Sequence, residues 1–209
     1  TIAWYAAPYP FSDGHAHPGA RVQPVERPAG AHRTVLRVTD KPVLLTAPRD
    51  GTPEPVQTPQ ELTAVARRFA EATGPVSVDA ERASGYRYTH RAYLVQLRRA
   101  GAGTALIDPL PLGDLSPLAE AIQDAEWVLH SASQDLPCLA ELNLRPKRLF
   151  DTELAARLAG FERVGLAALT EQLLGYTLEK HHSAADWSTR PLPQAWLAYA
   201  SLDVELLLD

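Results

Sequence analysis

Methionine is absent from all 209 residues, and cysteine occurs once, as Cys138. A chain that opens on Thr1 with no methionine is expected to be a trimmed or processed piece of a longer protein. A single thiol excludes an intramolecular disulfide framework, which fits a reducing cytoplasm. No apolar run approaches the roughly eighteen residues of a membrane span, so no membrane partner is expected, and no signal-peptide pattern opens the chain. No internal repeat is present. Basic residues are in the minority: 20 Lys and Arg face 25 Asp and Glu, a net charge of −5. That sum on its own argues against a nucleic-acid binder. With 45% hydrophobic and 22% charged residues, the composition is that of an ordinary soluble globular protein. The length suffices for one substantial core.

The distribution of charge matters more than its sum. Residues 1–50 hold six Lys/Arg and four Asp/Glu, a balance of +2, whereas residues 51–209 hold fourteen and twenty-one, a balance of −7. Within that acidic part, Arg82, Arg87, Arg91, Arg98 and Arg99 follow one another with no acid among them, interleaved with Tyr86, Tyr88, His90 and Tyr93. Arg98 and Arg99 close a strand and read as solvated. Arg87 and Arg91 fall in a loop and are the better candidates for phosphate contact.

Residues 1–41 are read as an irregular arm, rich in proline and without sustained periodicity. The segments RTVLRVTD and PVLLTAP each suit a short strand. TPQELTAVARRFAEATG is a helix with a clear start: Thr58 caps it, Pro59 takes the first helical position and Glu61 completes a capping box. Gly74 and Pro75 stop it. PVSVDAE, AYLVQLRR and GTALIDP follow closely enough to form an antiparallel meander. Then come a helix over LSPLAEAIQDA, a strand over WVLHS, a helix over DLPCLAELN and a short strand over KRLFDT. The helices TELAARLAG, GLAALTEQLLG and PQAWLAYASLDVELLLD complete the chain. This order predicts an α/β fold over 42–209, a mixed sheet with helices on both faces.

Four acids lie on elements that such a sheet brings to one end. Asp79 and Glu81 share a strand face in PVSVDAE, because strand side chains alternate. Asp135 follows in LHSASQDL. Tyr199 and Asp203 share a helix face in YASLDVELL, four residues apart. Each acid alone has an unremarkable reading: solvated acids at a sheet edge, an Asp at a helix start favoured by the dipole, or a tyrosine half buried on a helix. Together, converging carboxylates without basic partners call for cations, and hard oxygen ligands suit Mg²⁺ or Mn²⁺. A two-metal site that cleaves phosphodiesters is the leading explanation.

The order Asp-x-Glu, Asp, Tyr-x-x-x-Asp resembles the DEDDy family of 3′–5′ exonucleases, whose fold is RNase H-like (DnaQ-like). Within it the flanking words VDAERASGYRY, LVQL, LIDPL, LHSASQDL, FDTELAARL, DWSTRPL and YASLDVELL resemble the ribonuclease D family, over about residues 42–209. The resemblance implies that Asp79, Glu81 and Asp203 hold a metal on the side of an attacking water, and that Asp79 bridges to a second metal supported by Asp135. Tyr199 would orient that water and help to deprotonate it, although a phenol with a pKa near 10 is a poor base by itself. The implied activity is metal-dependent 3′–5′ exoribonuclease action on RNA 3′ ends, releasing 5′-mononucleotides with two Mg²⁺ or Mn²⁺ ions. Its substrates would be tRNA precursors or related structured small RNAs, in the cytoplasm. Relatives commonly carry helical HRDC domains after the nuclease, which are expected to be absent from these residues.

The family usually has Asp-Thr-Glu where this chain has Asp79-Ala80-Glu81. Alternation points Ala80 away from the metals. Gln96 is expected to hydrogen-bond within the sheet, with substrate contact the alternative. Asp151 in FDTEL reads as structural. The loop EKHHSAADWSTRPL offers Lys180, Trp187 and Arg190 for phosphate or a terminal base; for Trp187 the competing reading is an anchor to the core. His181 and His182 lack the partners of a zinc set. Two rival functions stand beside exoribonuclease: a 3′–5′ DNA exonuclease of the same fold, and a non-catalytic RNA-binding scaffold.

Overall fold

A computed structural model describes residues 41–209 other than 84, 87, 179–181 and 183. All but the last residue of the arm expected over 1–41, and the strand over RTVLRVTD, therefore lie outside the described residues. Among the described residues, eight strands and seven α-helices follow in the order β1 (Val43–Leu45), β2 (Pro55–Val56), α1 (Pro59–Glu71), β3 (Val76–Arg82), β4 (Ala92–Arg99), β5 (Gly103–Ile107), α2 (Pro109–Leu112), α3 (Ser116–Ile122), β6 (Glu126–Leu129), α4 (Leu136–Glu141), β7 (Arg148–Asp151), α5 (Thr152–Leu158), α6 (Leu166–Leu169), β8 (Tyr176–Leu178) and α7 (Gln194–Glu205). Short 3₁₀ turns precede α4 and follow α7, and a π-turn over Thr170–Leu174 extends α6.

Six strands form one mixed sheet in the order β2-β5-β4-β3-β6-β7. The expected meander is present: β3 pairs antiparallel with β4, and β4 with β5, while β6 and β7 add in parallel on the far side. PVLLTAP does contribute β1, but to a separate two-stranded sheet with β8, which the sequence did not announce. The final helix stops at Glu205 rather than running to the last residue.

Strand alternation sorts β3 onto two surfaces. Val76, Val78 and Ala80 join Leu62, Val65 and Phe69 of α1, Leu118 and Ile122 of α3, and Leu139 of α4 in the main core. The opposite surface carries Ser77, Asp79 and Glu81 towards α7, where Leu94, Leu106 and Trp187 pack against Leu197 and Ala200 in a second cluster. Helices thus cover both faces. The capping box of α1 forms as expected, Thr58 accepting from the Glu61 N–H and Glu61 reaching back to the Thr58 N–H, an arrangement worth about 1 kcal/mol.

The helix α7 is tied to the rest of the domain at two points, with one further side-chain bond inside the helix. The Ser77 hydroxyl donates to the Val204 carbonyl at 2.7 Å. The Ser201 hydroxyl bonds back to Leu197. Arg49 clamps the helix end: its backbone N–H and its Nε–H both donate to the fully buried Glu205 carboxylate, the latter at 2.6 Å, and its guanidinium also meets Asp209. Replacing Arg49 removes the cation from a buried anion, a change that costs more than a surface ion pair contributes. Arg49→Met is expected to lower the unfolding free energy by about 1–3 kcal/mol. Urea unfolding at neutral pH checks this, with an unchanged slope and a lower midpoint.

Candidate active site

The surface of β3 that faces α7 ends in Asp79 and Glu81, and α7 presents Tyr199 and Asp203 to them. Carboxylate oxygens of Asp79, Glu81 and Asp203 all lie within 4.8 Å of one another. Cross-strand pairing places Gln96 directly opposite Asp79. Its amide nitrogen donates to Asp79 at 2.9 Å and to Glu81 at 3.2 Å. Gln96 is fully buried, so it orients the acids and does not reach substrate. The acids border a cleft of about 600 Å³, together with His130, Asp135 and the first turn of α6.

Asp135 sits at the start of α4, yet its side chain makes no capping bond. It pairs instead with Arg82, whose Nη2 lies 3.3 Å from Asp135 Oδ1, and whose Nη1 donates to the Gln134 carbonyl. The expectation of carboxylates without a basic partner is therefore corrected for Asp135. Arg82 follows Glu81 directly, and alternation turns it to the surface of Ala80, the side on which α4 packs. A register shift falls at the same point: Glu81 pairs with Leu94 and Arg82 with Ala92, leaving Tyr93 as the extra residue of a bulge. The turn before Asp135 is held by Asp151, which accepts from the N–H groups of Ser131 and Ala132 and also caps α5. Ser131 there adopts a left-handed conformation, φ 61°, uncommon for a residue with a side chain.

Burial raises the acids. It pushes Glu81 well up, with the charges of Asp79, Asp203 and Asp135 adding to it. Asp203 and Asp79 are raised by the same desolvation. Burial and the charge of Asp79 push Asp135 up to about 8 against the pull of Arg82. Tyr199 is also pushed up, by burial and then by the charges of Asp203 and Glu81. Its phenol keeps its proton and acts as a donor to Asp203. A cluster of buried, mutually repelling carboxylates is relieved by a hard divalent cation, so the donor set fits such an ion.

Residues 53–209 match the family of 3′–5′ exonuclease domains. The chain belongs to that family. The exonuclease domain is 40% identical over 162 residues to a ribonuclease D of Gluconacetobacter diazotrophicus, covering 74% of this chain and 40% of that protein. A crystal structure of a protein from Bifidobacterium adolescentis superimposes with a TM-score of 0.79 at 51% identity, over 80% of this chain and 41% of that one. Escherichia coli RNase D, described as an exoribonuclease involved in structured RNA processing, superimposes with a TM-score of 0.64 at 31% identity, over 74% and 42% of the two chains. The chain thus spans about two fifths of the length of these relatives. The fold is the RNase H-like one that the motifs implied.

The structure brings together Asp79, Glu81, Tyr199 and Asp203, with Asp135 on the rim of the same cleft. Of the exonuclease domain's other candidates, Arg87 and Lys180 lie outside the described residues, as does His181. Arg91 is exposed, its guanidinium 5.5 Å from the centre of the Tyr93 ring. Trp187 has no exposed surface and packs against the rings of Trp196 and Tyr199, so it anchors the core and has no face to offer a base. Arg190 is corrected likewise. Its Nε and Nη2 grip the buried Asp108 at 2.8 and 2.9 Å, and its remaining donors go to the carbonyls of Tyr93, Trp187 and Thr189. Each guanidinium nitrogen thus already has a protein acceptor. Arg99, read as solvated, is in fact buried and bonds the Phe69 and Gly74 carbonyls.

Two expectations follow. Carboxylates raised in the native state bind protons that the unfolded chain has already lost, so stability falls as pH rises from the ordinary carboxylate range near 4 through the raised values. In EDTA the melting temperature at pH 8 should therefore lie below that at pH 6, and Mg²⁺ should remove most of the deficit; thermal melts with and without the ion test both. Arg190→Met leaves Asp108 buried and unpaired and should cost about 3 kcal/mol, while the KM for nucleic acid stays within about twofold. A large KM change with intact stability would return Arg190 to the substrate.

Proposed function

We propose that the domain is a metal-dependent 3′–5′ exoribonuclease that releases nucleoside 5′-monophosphates from the 3′ ends of structured RNA, tRNA precursors among them. The observation that carries this reading is the convergence of Asp79, Glu81 and Asp203 within 4.8 Å beneath Tyr199. In this reading Asp79, Glu81 and Asp203 hold one divalent cation and Asp79 with Asp135 a second, Mg²⁺ or Mn²⁺ serving in both places. Bound cations would activate water and neutralise charge on the phosphate undergoing in-line displacement. Gln96 keeps two of the acids in register. Tyr199, which donates to Asp203, would orient the attacking water, with bound cations supplying most of its activation.

RNA is favoured as the polymer by the ribonuclease D relatives, because the acids themselves carry no information about the sugar. Arg91, with the exposed Tyr86 and Tyr88, extends a basic and aromatic loop from the end of β3. Such a loop binds phosphates and stacks unpaired bases with little regard to sequence. A cytoplasmic setting suits both an RNA substrate and the lone thiol.

Digestion of matched labelled RNA and DNA, with Mn²⁺ or with chelator, tests the assignment. Cation-dependent release of 5′-mononucleotides from RNA is expected. Equal or better cleavage of DNA would favour a DNA exonuclease, and no cleavage of either would leave a binding scaffold. Asp79→Asn and Asp203→Asn should each lower turnover about a thousandfold or more. Tyr199→Phe should lower kcat by roughly ten- to a hundredfold with KM nearly unchanged; a rise in KM alone would mark the tyrosine as a binding contact.

A further inference from the structure

Four arginines among the described residues are buried or partly buried, and three are committed to structure: Arg98 to Thr104 and Asp50, Arg99 to the carbonyls of Phe69 and Gly74, and Arg190 to Asp108. Arg82 differs. Its side chain is 26% exposed and borders the catalytic cleft, one nitrogen is tethered to the Gln134 carbonyl, and another faces Asp135 Oδ1. Asp135 in turn stands outside the group of three acids whose oxygens lie within 4.8 Å. Its side chain is only 6% exposed and caps no helix. The carboxylate that would be offered to a cation thus already has a cationic partner.

We propose that Arg82 is a positioning residue that shares the Asp135 carboxylate with a divalent cation and thereby weakens cation binding on that side of the cluster. The inference rests on the reading that a second cation binds at Asp135. Two features make the competition direct. A guanidinium is charged at every accessible pH, so it cannot step aside by losing a proton. A second positive charge beside a divalent site raises the free energy of loading it. Incoming nucleic acid supplies the compensating charge: a phosphate at the cleft gives the Arg82 fork an alternative acceptor of matching geometry. Cation and substrate would then load the Asp135 side together, and weakly when either is alone.

Calorimetric titration of Mg²⁺ into the chain at pH 8.5, with no nucleic acid present, tests this. Arg82→Gln should tighten the weaker of two cation sites by about tenfold, with Arg82→Lys intermediate because it keeps the charge and loses the fork. In an Asp135→Asn background the Arg82 substitution should have no effect on cation binding. Two sites in the wild type with unchanged or weaker binding in folded Arg82→Gln and Arg82→Lys would overturn the proposal, leaving Arg82 a structural partner of Asp135. If wild type and Asp135→Asn instead bind the same number of cations with equal affinity, the second-cation reading itself fails and takes the Arg82 proposal with it.

Discussion

Holding three carboxylates within 4.8 Å of one another beneath a helix works against folding, since each loses hydration and each repels the others. Almost every device around the site can be understood as resisting that repulsion. Gln96 bridges two of the acids from the neighbouring strand. Ser77, one turn of the pleat away from Asp79, pins the backbone of α7 through the Val204 carbonyl. The apolar cluster of Leu94, Leu106, Trp187 and Leu197 presses the same helix onto the sheet. The acids are placed by a core that would pack equally well without them, so their unfavourable approach is a cost the rest of the domain offsets.

The two surfaces of β3 divide the labour. Val76, Val78 and Ala80 supply stability on one side, and Ser77, Asp79 and Glu81 serve the site on the other. Ala80 therefore belongs to the core and leaves the acids alone. Arg82 is the exception to this partition. It lies on the stabilising side, and from there it reaches around the strand end to Asp135.

Elements set by local pattern were readable from the sequence. The meander, the capped α1 and the Asp79/Glu81 pair follow from alternation and turn chemistry, and Tyr199 and Asp203 from helical spacing. What stayed hidden depends on contacts remote in sequence. Nothing near Tyr176 shows that it will pair with Val43. Nothing in DWSTRPL shows that Arg190 will find Asp108, 82 residues away, so a basic residue in a loop near the site was assigned to substrate. Trp187 could be read as either anchor or platform because sequence reports aromatic character and not depth. Arg82 was visible as part of a basic stretch, yet its partner depended on where α4 begins relative to the sheet.

The Arg49 clamp also bears on where this domain starts. The match to the exonuclease family covers residues 53–209, but β1 and Arg49 precede that stretch and close on β8 and on the end of α7. A domain cut at residue 53 would keep all four acids and lose the counter-charge of Glu205, two positions from Asp203. The physical unit is larger than the stretch that the family match covers.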